Sequence, residues 1–479
     1  SIRVLVDQMK RGYDDCEVLT IEGQPALPHL SAFAETIGYS KDSGVRLNQA
    51  LASYIYNRQR GNFILSSGGF SERVTLPDKG SVTFELKCAN SPTPVTVEDA
   101  WFVVQLTKSL FTDHKSYLSN VCHASRSAEI QKHDLSSPIK QPLITMPKKS
   151  ALLDILGILD AEPTPNDPPY SFPDATYIGS GNATVYYQLK SRPDVGVIVV
   201  HTLMTEIDEL NAALKGLQAF YEGGVTRLVI DFQGNGGGSV GFASLLVQAF
   251  FPNNDPLEKS LPSDLRTSKS IQDLSTAMFN TGSGALYNAA YYYDLQTKSA
   301  YQNNSLFDDV VTLTRNGRQA TYSKITTFNP WTLPTLSQLA TYPWTAKADH
   351  ITILTDGRCG SSCALSSHYF HTLCGVPAFA IGGYQGQDLS MFSFSGGAAS
   401  SLTDLNSFYS AVNVTSPMKA LPYTGDVHLP ILEVYAKGAS VPLEYDPPQH
   451  IANVHLDFDT QNARRRDIMW GQVAGLAWV

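Results

Sequence analysis

Two short segments carry the residue types that acyl-transfer chemistry uses. The first runs Leu228-Val229-Ile230-Asp231-Phe232-Gln233-Gly234-Asn235-Gly236-Gly237-Gly238-Ser239. An apolar run, read as a strand, leads into glycines. These accept positive φ and let a ligand come close to the backbone amides. The helix that follows adds free N–H donors and a positive dipole end, so the turn suits a phosphate or an oxyanion. No Lys-Ser/Thr follows it, which excludes a Walker loop, and the glycine spacing is wrong for a dinucleotide fingerprint. Taken alone, the cluster reads equally well as a plain tight turn.

The second segment is Thr355-Asp356-Gly357-Arg358-Cys359-Gly360-Ser361-Ser362-Cys363-Ala364-Leu365. It also leaves an apolar strand and opens a helix. A serine at such a turn presents its hydroxyl, and the next amide points the same way, as in a nucleophile elbow, although the GxSxG pattern is absent. Read alone, Ser361 or Ser362 is better explained as a helix cap. Together the two turns say more. Both fall at the C-terminal ends of strands in one α/β unit, where sites gather in such sheets. One supplies a hydroxyl and the other an amide for developing negative charge, the pairing acyl transfer needs.

On these residues the chain resembles the C-terminal-processing (tail-specific) serine proteases, in the branch of chlamydial protease-like activity factor and its secreted fungal relatives. The similar stretches are Ile230-Asp231 through Gly237-Gly238-Ser239 and Gly360-Ser361-Ser362-Cys363. Tyr13-Asp14-Asp15-Cys16 through Pro25-Ala26 is similar to the family's segment at a domain resembling a PDZ module. The resemblance implies Ser362 as nucleophile, with Ser361 as the alternative, and an oxyanion hole from the Gly237 and Cys363 amides. The implied fold is a C-terminal-processing-protease-like (crotonase/ClpP-like) α/β core with an N-terminal β-rich PDZ-like domain. No cofactor is implied, and the expected substrate is a protein or peptide.

A serine nucleophile needs a proton acceptor. No Lys lies between Ser362 and Lys419, so the Ser–Lys dyad of the bacterial members is not expected. The other branch uses Ser, His and Glu. Its Glu is matched best by Glu444 in Pro442-Leu443-Glu444-Tyr445, with Glu433 as the alternative. Its His precedes the segment that here begins near Tyr13 by more residues than the chain has. The base is therefore expected on a missing N-terminal segment, either an associated fragment of the same precursor or a piece that has been lost. His201, at the end of the strand Val195–Val200, is the substitute within this chain. His368 and His371, six and nine residues beyond Ser362, lie too far along the same helix for a direct bond.

Residues 1–105 read as a β-rich domain, with strands at Val4–Val6, Glu17–Ile21 and Val82–Leu86. Residues 106–185 read as a linker or surface excursion, rich in Pro, Ser and Asn. Residues 186–479 read as an α/β protease core with a polar insertion at about 253–345. Helices are expected at Ile207–Tyr221, about Val240–Phe251 and Ser362–Leu373. Alternating strands and helices predict a largely parallel, covered sheet.

The chain has 479 residues, is 43% hydrophobic and 16% charged, and carries a net charge of −9, a composition that supports more than one packed core. No basic stripe suggests nucleic acid, and Arg464-Arg465-Arg466 reads as a solvated face. No apolar run is long enough to span a membrane. Six cysteines permit disulfides without a zinc pattern, and no metal-ligand motif occurs. Sequons at Asn182, Asn303 and Asn413 favour a secreted glycoprotein. A peptidase is the leading expectation. The alternative is a non-catalytic ligand- or peptide-binding protein on the same fold.

Overall fold

The computed structural model describes residues 1–38, 40–58, 60–102, 112–122, 172–205, 209–252, 261–283, 286–315, 317–328, 341–394, 399–418 and 427–478. The N-terminal region holds β1 (Glu17–Ile21), β2 (Gln24–Pro25), helices α1 (Ala26–Ala34) and α2 (Ser43–Ala50), the hairpin β3 (Ser53–Asn57) and β4 (Asn62–Ser66), and β5 (Ser81–Lys87) with β6 (Val95–Ala100). A four-stranded antiparallel sheet runs in the order β2-β1-β5-β6. Glu22 and Gly23 both have positive φ, the requirement of a tight two-residue hairpin turn. On β5, Val82 and Leu86 are buried with Val18, Ile21, Leu30 and Phe70, and the Cys16–Cys88 disulfide joins the start of β1 to the end of β5. Val4-Leu5-Val6 forms no strand. Next to β1 there is only an isolated bridge from Arg3 to Glu17.

The main sheet comprises β7 (Ala175–Ser180), β8 (Thr184–Leu189), β9 (Val195–Val200), β10 (Arg227–Asp231), β11 (Ile351–Thr355), β12 (Ala378–Ile381) and β13 (Val454–Leu456). They lie in the order β13-β12-β11-β10-β9-β8-β7, parallel from β9 to β13 and antiparallel at β7 and β8. Both faces are covered, which explains the unbroken apolar runs. Ile198, Leu228, Ile230, Ile351 and Ile353 face α3 (Glu209–Glu222), α4 (Val240–Phe250) and α5 (Ser362–His368). Val197, Val199, Val229 and Leu354 face Met469, Trp470 and Val473 of α6 (Arg466–Ala477).

Three differences from the sequence reading have physical reasons. β7 and the first two residues of β8 fall within the segment read as an excursion; β7 is a half-exposed edge strand, so its polar residues hide it. Of the rest of that segment only 112–122, 172–174 and 181–183 are described. The expected helix Ser362–Leu373 is α-helical only to His368 and continues as a π-type turn, Tyr369–Leu373. The described part of the polar insertion contributes to a second sheet that the sequence reading did not foresee. Strands Ser263–Thr267, Tyr292–Asp294, Arg318–Tyr322, Thr326–Phe328 and Leu432–Val434 take part in a seven-stranded sheet. It has its own core of Leu265, Leu274, Met278, Tyr287, Tyr292 and Leu432. Its helix Lys269–Thr281 is capped by the Ser268 hydroxyl and stopped by Gly282 at positive φ.

Candidate active site

The two turns singled out in the sequence meet. β10 and β11 are adjacent parallel strands, so their C-terminal turns emerge side by side. Asn235, fully buried, ties them together: its side-chain N–H₂ donates to Val200 O at 2.8 Å and its backbone O accepts from Gly360 N at 3.2 Å. Gly237 has φ of +103°, and a Cβ there would stand 2.5 Å from Gly360 O and 2.9 Å from Ser361 Cβ. Only glycine fits at both counts. Beyond it, Leu203 N donates to Gly237 O at 3.0 Å and Ser239 N to Leu203 O at 2.8 Å, while the Ser239 hydroxyl caps α4.

Asp356 links the turns from the other side. Its carboxylate accepts from Gly234 N at 3.2 Å, Arg358 N at 3.0 Å and Arg358 Nε at 2.8 Å. Burial pushes its carboxyl up, but Arg358 and the amide donors outweigh that and hold it below the usual carboxylate range.

Ser361 stands at φ 51°, ψ −124°, a conformation sparsely occupied by any residue with a Cβ. Ser362 is the first residue of α5. Its hydroxyl is fully buried and, among the described residues, has no hydrogen-bond partner. A disulfide joins Cys359 to Cys363 across this turn. In this state the Gly237 N–H donates to Asn235 Oδ1 at 2.8 Å and the Cys363 N–H to Gly360 O at 3.0 Å. Both expected oxyanion donors thus face acceptors of the chain itself.

Among the described residues, no hydrogen bond joins His201 or Glu433 to the Ser362 hydroxyl. The His201 ring lies 4.7 Å from that of Tyr56, and its Nε2 has no partner among the described residues. Burial, helped by Arg58, lowers its pKa to about 4. His201 is neutral at pH 7 but a feeble proton acceptor. Glu433 accepts from Tyr322 Oη at 3.1 Å, on a strand paired with that of Asp264, and Tyr435 Oη donates to Asp264 at 2.7 Å. Glu444 sits in the turn Leu443–Tyr445, and its side chain is outside the described part. The sequon residues Asn182, Asn303 and Asn413 are all exposed.

No family model matches the chain, and no curated protein matches it. Among solved structures, mature CPAF, a chlamydial protease, aligns over 96% of this chain and 75% of its own, at 11% identity and a TM-score of 0.44. CPAF complexed with lactacystin aligns over 96% and 76%, at 12% identity and a TM-score of 0.45. A protein from Parabacteroides merdae, provisionally assigned as a peptidase, aligns over 64% and 67%, at 12% identity and a TM-score of 0.34. Likenesses this loose say nothing of chemistry.

Three features around the site were not anticipated. Arg466, read as solvated, is buried and pairs with Asp231 at 3.1 Å, while Trp470 Nε1 donates to the same carboxylate at 2.8 Å. Burial still raises the Asp231 carboxyl, against the pull of Arg466. The flanking Arg464 and Arg465 pair with Asp15 and Asp467. His368, set aside on distance, is fully buried 4.5 Å from the Phe392 ring and helps line a cavity of about 140 Å³ with Glu433, Leu443 and Tyr445. Finally, α2 plugs the strand ends: Asn48 donates to Asp356 O at 2.8 Å and Ile381 O at 3.0 Å, and accepts from Gly383 N at 2.8 Å.

Proposed function

We propose that the chain is the main part of a secreted serine endopeptidase that hydrolyses peptide bonds through an acyl-enzyme on Ser362. One observation carries this reading: a strained turn with an unpartnered, buried serine hydroxyl is packed directly against a glycine loop at adjacent parallel strand ends. A buried hydroxyl without a partner is costly, and a site kept for a reaction is one reason for such a group to persist. The positive φ of Ser361 turns the chain into α5, so that Ser362 opens the helix against the glycine loop, its backbone N 3.1 Å from where a Cβ on Gly237 would stand. Ser361 then shapes the turn.

In catalysis a histidine removes the Ser362 proton as the hydroxyl attacks the substrate carbonyl, then delivers it to the leaving amine. By the sequence resemblance that histidine lies on an associated N-terminal fragment, and Glu444 or Glu433 orients it. The carbonyl oxygen takes the Gly237 and Cys363 amides in exchange for Asn235 Oδ1 and Gly360 O. The N-terminal β-rich region serves as a PDZ-like module for extended peptide, and Asn182, Asn303 and Asn413 carry glycans.

A second reading, a non-catalytic binding protein, is favoured by the occupied amides and by the lack of a base at Ser362 among the described residues. The test is cleavage of an unfolded protein substrate, read by mass spectrometry, with wild type and Ser362→Ala. Fragments from wild type alone support the peptidase. Equal cleavage by both, or none by either, supports the binder.

A further inference from the structure

We propose that the Cys359–Cys363 disulfide is the device that holds the Ser362 turn in its reactive shape, so that the site is active when oxidised and idle when reduced. This rests on the reading of Ser362 as nucleophile. The bond encloses Gly360, Ser361 and Ser362, and both of its cysteines are fully buried. Within that ring Ser361 holds φ of +51°, Gly360 N is bonded to Asn235 O, and Cys363 N to Gly360 O. Ser367 braces the pair, its hydroxyl 3.3 Å from Cys359 Sγ and donating to Cys363 O at 3.1 Å.

Loop length argues for a local role. Crosslinking restricts the unfolded chain in proportion to the logarithm of the loop closed. Cys16–Cys88 spans 72 positions and Cys359–Cys363 only 4, so the shorter bond does less for global stability. What it does restrain is the turn. With the bond cut, Ser361 is free to return to negative φ, and that rotation carries the Ser362 hydroxyl and the Cys363 amide away from the Gly237 loop. A dithiol such as dithiothreitol supplies two electrons and two protons, yielding two thiols while it closes to its cyclic disulfide. Burial makes this step slow and dependent on local opening.

The test measures the rate of fluorophosphonate labelling at Ser362 in the full protein, with unfolding followed in parallel. Cys359→Ser/Cys363→Ser is expected to label about tenfold or more slowly, a change of over one kcal/mol in barrier. Adding Ser361→Gly, which removes the penalty on positive φ, should recover much of the rate. Cys16→Ser/Cys88→Ser should lose more stability yet keep the rate. If the double variant does not fold, reversible loss of labelling on dithiothreitol treatment and reoxidation of the wild type carries the same weight. Undiminished labelling without the bond overturns the clamp alone, as does slow labelling that glycine does not rescue. No labelling of the oxidised wild type removes the nucleophile reading, and the clamp with it.

Discussion

At the scale of single residues, the neighbours Ser361 and Ser362 differ in kind. Ser361 pays a backbone penalty of about 1–3 kcal/mol for its positive φ, while Ser362 starts a helix in relaxed geometry with its hydroxyl unbonded. Ser361→Gly is therefore expected to keep labelling and peptidase activity, and Ser362→Ala to lose both. The opposite pattern would assign the nucleophile to Ser361. Histidines give a second prediction. Burial lowers the pKa of His201 to about 4 and of His368 to about 3, with Arg58 acting on the former and His371 and His450 on the latter. The unfolded chain binds those protons near pH 6.5. Between that pH and about 4 the unfolded state holds more protons, so stability falls as pH drops through this window and is unaffected above it. The unfolding free energy from urea titrations should fall between about pH 6.5 and pH 4, by on the order of 1 kcal/mol per pH unit for each histidine. His368→Leu should flatten the slope, and an unchanged slope would contradict the assignment.

At the scale of elements, legibility followed the range of the interaction. The glycine loop and the Ser362 turn could be read from sequence because each is a local strand–turn–helix whose residue types report their own backbone. The adjacency of β10 and β11 follows from the α/β alternation. Arg466 could not be read, because its carboxylate partner lies 235 positions away and nothing nearby distinguishes it from Arg464 and Arg465. The insertion sheet was missed because several of its strands, such as Tyr292–Asp294 and Thr326–Phe328, have only three residues, too few to display a period. The Asp231–Arg466 pair anchors α6 beneath the glycine loop. Arg466→Leu leaves a buried carboxylate without its cation, and the expected loss is about 3–5 kcal/mol in urea unfolding. Asp231→Asn in the same chain should recover part of it. A loss below about 1 kcal/mol would mean that the pair contributes no more than a surface ion pair.

At the scale of the whole molecule, the N-terminal region is built into the site. Asn48 bonds the ends of β11 and β12, Arg358 of the Ser362 turn meets Ser53, and Tyr54 O accepts from Arg466 at 2.6 Å. The sequence suggested a separate domain because its β pattern is self-contained, whereas these bonds join residues hundreds of positions apart. Asn48→Ala strands two carbonyls and one amide, at an expected cost of about 2–4 kcal/mol. Because Asp356 is among the groups released, labelling of Ser362 should slow as well. Loss of stability with unchanged labelling would show that α2 supports the fold without shaping the site.

The most direct measurement treats the protein as isolated, with any copurifying fragment, with a fluorophosphonate probe and maps the adduct by intact mass and peptide analysis. The account predicts one adduct, on the peptide bearing Ser362, absent in Ser362→Ala. No adduct, or one on another serine, would contradict the claim that this turn holds an activated nucleophile.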